Sequence, residues 1–181
     1  MSAIPASIDF AVPPGPCASP ADFVSAMARA ATGVSVVTTD GPDGRFGITV
    51  SAVSSVSAEP PMVLVCINRR SPAVVAIGDH GRFAVNMLAD HQASVARTFS
   101  GRPDRGDPYD FATHAWQAGA TGLPCLAGAA AVFECAVETA IDAGSHRIFI
   151  GRVIVAEAGA IAPLVYAGRD FRRPVPLDHA H

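Results

Sequence analysis

The sequence predicts a mainly β fold, an antiparallel barrel with a few peripheral helices. Strand-like apolar and β-branched runs outnumber helical stretches, and short turns join most of them. The regular strand–helix alternation of a parallel α/β sheet is missing. The chain has 181 residues, the size of one domain. Its residues are 50% hydrophobic and only 16% charged, with mean hydropathy +0.32. That is apolar for a small chain and predicts surface buried against another subunit.

Residues 1–19, with Pro5, Pro13, Pro14 and Pro16, read as an extended arm. Ser19 and Pro20 are an N-cap and a first helical residue, predicting a helix to about Ala31 that buries Phe23, Met27 and Ala30. Residues 34–39 (VSVVTT) read as a strand, 40–44 as a turn and 46–53 as the returning strand. Residues 54–59 are polar and end at Pro60-Pro61. Residues 62–67 (MVLVCI) form a continuous apolar run, as in a strand buried on both faces. Ser71-Pro72 repeats the helix-start signal for a short helix through Ile77. A strand follows at 82–88, a helix at 91–99 and a polar loop at 101–113. Two long strands at 129–141 and 147–156 flank a turn, a short strand lies at 163–167, and 173–181 is a tail. The globular unit is therefore expected at 20–172.

Net charge is −3 with a pI near 6.0, so a nucleic-acid partner is not expected. Cys17, Cys66, Cys125 and Cys135 form no C-x-x-C pair, and the six histidines are dispersed. His179 and His181 read as tail. No metal site is expected. Neither a signal peptide nor an apolar run of about 18–20 residues is evident, so a cytoplasmic location away from membranes is the default expectation. The chain lacks G-x-G-x-x-G, G-x-x-x-x-G-K-[ST] and G-x-S-x-G, leaving an organic cofactor as the expected source of chemistry.

Three stretches carry that chemistry. Thr49, Val50, Ser51, Ala52, Val53, Ser54, Ser55 and Val56 crowd hydroxyls and small residues at the end of an apolar strand. Such a segment offers backbone N–H groups and hydroxyls to a phosphate or the polar edge of a flat ring. An exposed serine face on an edge strand is the plainer alternative. At 68–72 (N-R-R-S-P), Arg70 precedes a helix start at Ser71 and Pro72, where an anion is favoured; a solvated strand end is the alternative. His146 follows Gly144-Ser145 and opens a β-type run, where it is either merely exposed or held over a pocket mouth.

These stretches, with A-T-G-V-S-V-V-T-T at 31–39, P-P-M-V-L-V-C-I at 60–67, F-A-V-N-M-L at 83–88, G-S-H-R-I-F-I-G-R-V at 144–153 and P-L-V-Y at 163–166, resemble the short-chain flavin reductase family. Its members are reductase components of two-component flavin-dependent monooxygenases. The resemblance implies an FMN-binding split β-barrel of Greek-key antiparallel type, and a homodimer. It implies FMN or FAD bound by Thr49 to Val56, with Cys66, Ile67 and the Arg70-Ser71-Pro72 turn completing the site and Phe99 nearby. His146 matches the family histidine beside the nicotinamide of NADH or NADPH, and the hairpin tip at 43–47 and the loop around Tyr166 to Arg169 are further candidates for that side. Reduced flavin would pass to a separate oxygenase. This chain has Gly144-Ser145-His146 where the family often has Gly-Asp-His, so no carboxylate adjoins the histidine there. The rival readings are an oxidase of the pyridoxamine-phosphate-oxidase type on a similar barrel, a non-catalytic flavin or haem module, and an interaction protein.

Overall fold

The computed structural model describes residues 15–177. Most of the N-terminal arm, with Pro5, Pro13 and Pro14, lies outside the described residues, as do His179 and His181. The first helix, α1 (Pro20–Met27), starts as expected: Ser19 accepts a hydrogen bond from the Asp22 N–H. It is shorter than predicted and buries none of its residues, with Phe23 61% and Met27 52% exposed. Apolar spacing marks a face that prefers cover without stating that the same chain supplies it.

Seven strands form one antiparallel sheet. They are β2 (Ser35–Gly41), β3 (Gly44–Val50), β4 (Val53–Ala58), β5 (Pro61–Asn68), β6 (Arg82–Met87), β9 (Ala131–Ala143) and β10 (His146–Ala158), in the order β3-β2-β6-β9-β10-β5-β4. A small sheet joins β1 (Thr32–Gly33) to β11 (Val165–Ala167) and β12 (Asp170–Arg172). The hairpin of β7 (Trp116–Ala118) and β8 (Pro124–Leu126) was not visible as strands in the sequence. Three-residue strands carry too little periodicity to read.

The segment predicted as one strand at 46–53, followed by a polar stretch, is two strands. β3 pairs with β2 and β4 pairs with β5, at opposite edges of the sheet. The chain leaves one edge at Val50 and enters the other at Val53, so Ser51 and Ala52 alone connect them. No backbone pairing joins β3 to β4, and the sheet is not closed into a barrel.

Alternation sorts the side chains into two cores. On one face Val37, Val50, Val63, Val65, Ile67, Phe83, Val85 and Phe149 pack under α2 (Pro72–His80), which contributes Val74 and Ile77. On the other face Val34, Val36, Ala84 and Leu88 meet α3 (Ala93–Phe99) and the β7–β8 hairpin. The apolar run in β5 is not buried on both faces: Val63, Val65 and Ile67 are buried, whereas Met62, Leu64 and Cys66 are half-buried. Those half-buried residues share an outward face with Ile141, Ile148 and Ile150, because Ile148 sits opposite both Cys66 and Ile141, and Ile150 opposite Leu64.

Candidate functional site

The break between β3 and β4 is the most exposed part of the hydroxyl-rich segment. Thr49 is tied up: its hydroxyl donates to the Ala96 carbonyl of α3 at 2.8 Å. Val50 is buried in the inner core, and Val53 packs against it. Ser51, Ala52, Ser54, Ser55 and Val56 are exposed. The Ser54 hydroxyl donates to the Ser55 carbonyl at 3.2 Å, whereas the hydroxyls of Ser51 and Ser55 have no hydrogen-bond partner among the described residues. β3 and β4 are edge strands, so each presents a row of unpaired backbone groups beside those hydroxyls.

Cys66 lies directly behind the break, its N–H donating to the Ala52 carbonyl at 3.1 Å. Burial pushes its thiol pKa up, which favours the neutral thiol over the nucleophilic thiolate. Ile67 is fully buried and can offer a ligand only its backbone. The strand then turns: Asn68 accepts from the Arg70 N–H at 3.0 Å and Ser71 caps α2 by accepting from Ala73 N–H at 3.3 Å. Arg70 is exposed and makes no ion pair among the described residues.

His146 is exposed at the start of β10, opposite Asn68 in register. Its Nδ1 lies 2.9 Å from the Ser145 hydroxyl. The hairpin beneath it is braced: Arg147 and Arg69 both reach the Asp142 carboxylate, at 2.6 and 3.5 Å, and the Arg69 N–H donates to the Ser145 carbonyl at 3.0 Å. The hydrogen bond from Arg147, with the charges of Arg147 and Arg69, holds the Asp142 carboxyl below the usual carboxylate range. A carboxylate is thus present in this hairpin, but it faces arginines while the imidazole faces serine.

One cleft opens at the break and a second lies beside the 68–72 turn, each of about 560 Å³. The first takes Thr49, Val50, Ser51 and Tyr166, together with Arg97, Ser100, Arg102 and Arg169. The second takes Asn68, Arg70, Ser71 and Pro72, with Arg45, Gly47 and Tyr109. The structure therefore divides the sequence-predicted residues. Thr49 to Ser51 and Tyr166 share one cleft, the Arg70-Ser71-Pro72 turn lies in the other, and His146 adjoins the latter through Asn68. Ala52, Val53, Ser54, Ser55 and Val56 line neither and face outward from the edge strand. Phe99 lies wholly in the outer core, its ring 4.8 Å from Phe111 and 5.3 Å from Trp116. Sequence reasoning reached Arg169 through the Tyr166–Arg169 loop but passed over Arg102 and Tyr109. Arg169 reaches the first cleft only because β11 and β12 fold back beside β1, a pairing with no local signal.

An exposed strand break beside an arginine-lined cleft, on an open antiparallel sheet, defines a small β protein with a polar, cationic groove. The chain belongs to the flavin reductase like domain family, whose model matches residues 27–174. It is 41% identical over 160 residues to the FMN reductase (NADH) RutF of Variovorax paradoxus, covering 88% of each chain. Among solved structures it is similar to the NADH:FAD oxidoreductase SgcE6 of Streptomyces globisporus C-1027, with a TM-score of 0.77, 35% identity and coverage of 91% of this chain and 100% of that one. The styrene monooxygenase flavin reductase of Pseudomonas putida S12 matches with a TM-score of 0.76 and 32% identity, over 86% of this chain and 99% of that one.

Proposed function

We propose that this chain is an NADH-dependent flavin reductase that supplies reduced flavin to a separate oxygenase. One observation carries the reading: the Ser51–Ala52 break presents an unpartnered hydroxyl and edge-strand amides beside Cys66, on the strand that leads into the Arg70-Ser71-Pro72 turn. A flavin laid there meets donors along its polar rim and an arginine at a capped helix start for its phosphate. Held there, a flavin would supply a two-electron hydride acceptor for NADH, the second proton coming from water. The protein's share is alignment, which alone lowers such a barrier by roughly 7–11 kcal/mol. Edge-strand amides near Ser51 to Ser55 stabilise negative charge that grows on the reduced ring. His146, its Nδ1 engaged by Ser145, keeps Nε2 for the nicotinamide carboxamide.

The relatives support this reading and differ over the flavin: RutF is named for FMN, SgcE6 for FAD. The proposed domain spans 20–172, and the open sheet with its two consecutive edge strands fits a split barrel whose seam is the break. A homodimer would cover the outward face of Leu64, Cys66, Ile141, Ile148 and Ile150, a row of apolar side chains beside the seat. No helix among the described residues is long and apolar enough to cross a membrane, and the four cysteines are unpaired. A cytoplasmic location fits reduced thiols and an NADH supply.

The test is the loss of nicotinamide absorbance on mixing the protein with NADH and either FMN or FAD. Multiple turnovers with at least one flavin are expected; none with either would end the reductase reading.

A further inference from the structure

The first cleft holds more positive charge than the flavin seat uses. Arg97 is committed, 2.8 Å from Asp104 and stacked over the Phe171 ring at 5.4 Å. Arg102 and Arg169 are exposed, enter the cleft from different elements, and make no ion pair or side-chain hydrogen bond among the described residues. Asp170 is the one carboxylate lining it, and it accepts a hydrogen bond from the Phe171 N–H at 2.8 Å. Arg169 sits at a positive φ of 64° in the β11–β12 turn, a backbone state that fixes where its side chain leaves the hairpin. Tyr166, 38% exposed, is braced edge-on by Phe171 at 5.5 Å and offers an aromatic surface at the cleft wall. Paired guanidinium groups suit a diphosphate, and an exposed tyrosine suits a purine. The volume of about 560 Å³ fits a ligand of nucleotide size.

We propose that this cleft takes the adenosine diphosphate half of a dinucleotide, with Arg102 and Arg169 on the diphosphate and Tyr166 against the purine. The assignment rests on the reductase reading, since NADH and FAD both carry that half. The flavin's own monophosphate goes to Arg70 in the second cleft.

The experiment pairs Arg102→Gln with Arg169→Asn, the latter because asparagine tolerates the left-handed backbone. ADP is titrated calorimetrically into the flavin-free full-length protein and both variants. In parallel, KM is measured for NADH, FAD and FMN. ADP binding should weaken about tenfold in each variant, the loss of one charge-assisted contact. KM should rise by a similar factor for NADH or for FAD, more than kcat falls, while KM for FMN stays put. A rise for NADH assigns the cleft to the reductant, and a rise for FAD assigns it to the flavin substrate. The proposal is overturned if ADP binds the three proteins alike or not at all, or if KM for FMN rises in step. Loss of the reductase reading looks different: no turnover with any flavin, whatever ADP does.

Discussion

Two histidines with hydroxyl partners behave in opposite ways. His146 is exposed, and its Nδ1 shares a proton with the Ser145 hydroxyl at 2.9 Å. A serine can donate or accept, so it orients the ring through one neutral hydrogen bond. Ser145→Ala should therefore raise KM for NADH about threefold by freeing the ring, in keeping with one neutral hydrogen bond of about 0.5–1.5 kcal/mol. The dissociation constant for FMN, read by fluorescence quenching, should not move. An equal weakening of FMN would assign His146 to the flavin instead.

His114 is partly buried, its Nε2 3.1 Å from the Thr98 hydroxyl, which itself donates to the Ser94 carbonyl at 3.1 Å. The imidazole must then be the donor, and burial lowers its pKa below 6.5 despite the opposing charge of Asp110. Because the folded pKa lies below the unfolded one, the unfolded chain binds the proton first as pH falls. Stability is fully present above pH 6.5 and declines below it, toward the folded pKa. The urea midpoint should be lower at pH 5.5 than at pH 7.5, and His114→Gln should shrink that difference. A difference of the same size in the variant would place the titration elsewhere.

At the scale of elements, close approaches and one buried carboxylate set the tolerances. A Cβ on Gly151 of β10 would fall 2.5 Å from the Phe83 ring and 2.8 Å from the Cys135 Cβ. Gly151→Ala should thus cost about 1–3 kcal/mol in the urea midpoint, the penalty of overfilling a packed core. Glu134 on β9 is buried and accepts from the N–H groups of Ala120 and Thr121, both at 2.8 Å, and from the Thr121 hydroxyl. It pins the turn between β7 and β8. Glu134→Ala strands those donors and should cost about 2–4 kcal/mol by the same measurement; an unchanged midpoint would show that the turn is not anchored there.

The elements also show how far a sequence can be read. β-branched runs gave β2, β5 and β6 within a few residues, and the Ser-Pro signals placed both α1 and α2. Those cues are local, so they survive without knowledge of the fold. What failed was non-local. The serine face after Val53 was legible as that of an edge strand, but its pairing with β5, at the far border from β3, is visible only in the fold. The place of Arg169 in the first cleft depends on a three-stranded sheet of elements two or three residues long. The hydroxyl segment was legible as chemistry, yet its Thr49 hydroxyl turns inward to α3, a contact that no spacing rule predicts.

For the whole molecule, the excess of apolar residues finds its place on the outer face of β5, β9 and β10 and on the uncovered face of α1. Scattered apolar residues are ordinary on a surface, but a contiguous row is not. If that row is a subunit contact, Ile150→Glu should convert a dimer to a monomer in sedimentation velocity. Reductase activity should fall with it, because the row adjoins Cys66 and the seat. A wild-type chain that sediments as a monomer would remove the dimer from the proposal.

The two-residue link between the sheet's borders has a mechanical reading as well. β3 is tied to α3 through Thr49 and β4 is paired with β5, so Ser51 and Ala52 pin together the two borders of one sheet. A ligand laid across that pin would rivet the borders together, and its binding energy would add to the resistance of the seam against breathing. Deuterium uptake should register this: amides of 49–55 should exchange more slowly with FMN present, while those of the β7–β8 hairpin keep their pace.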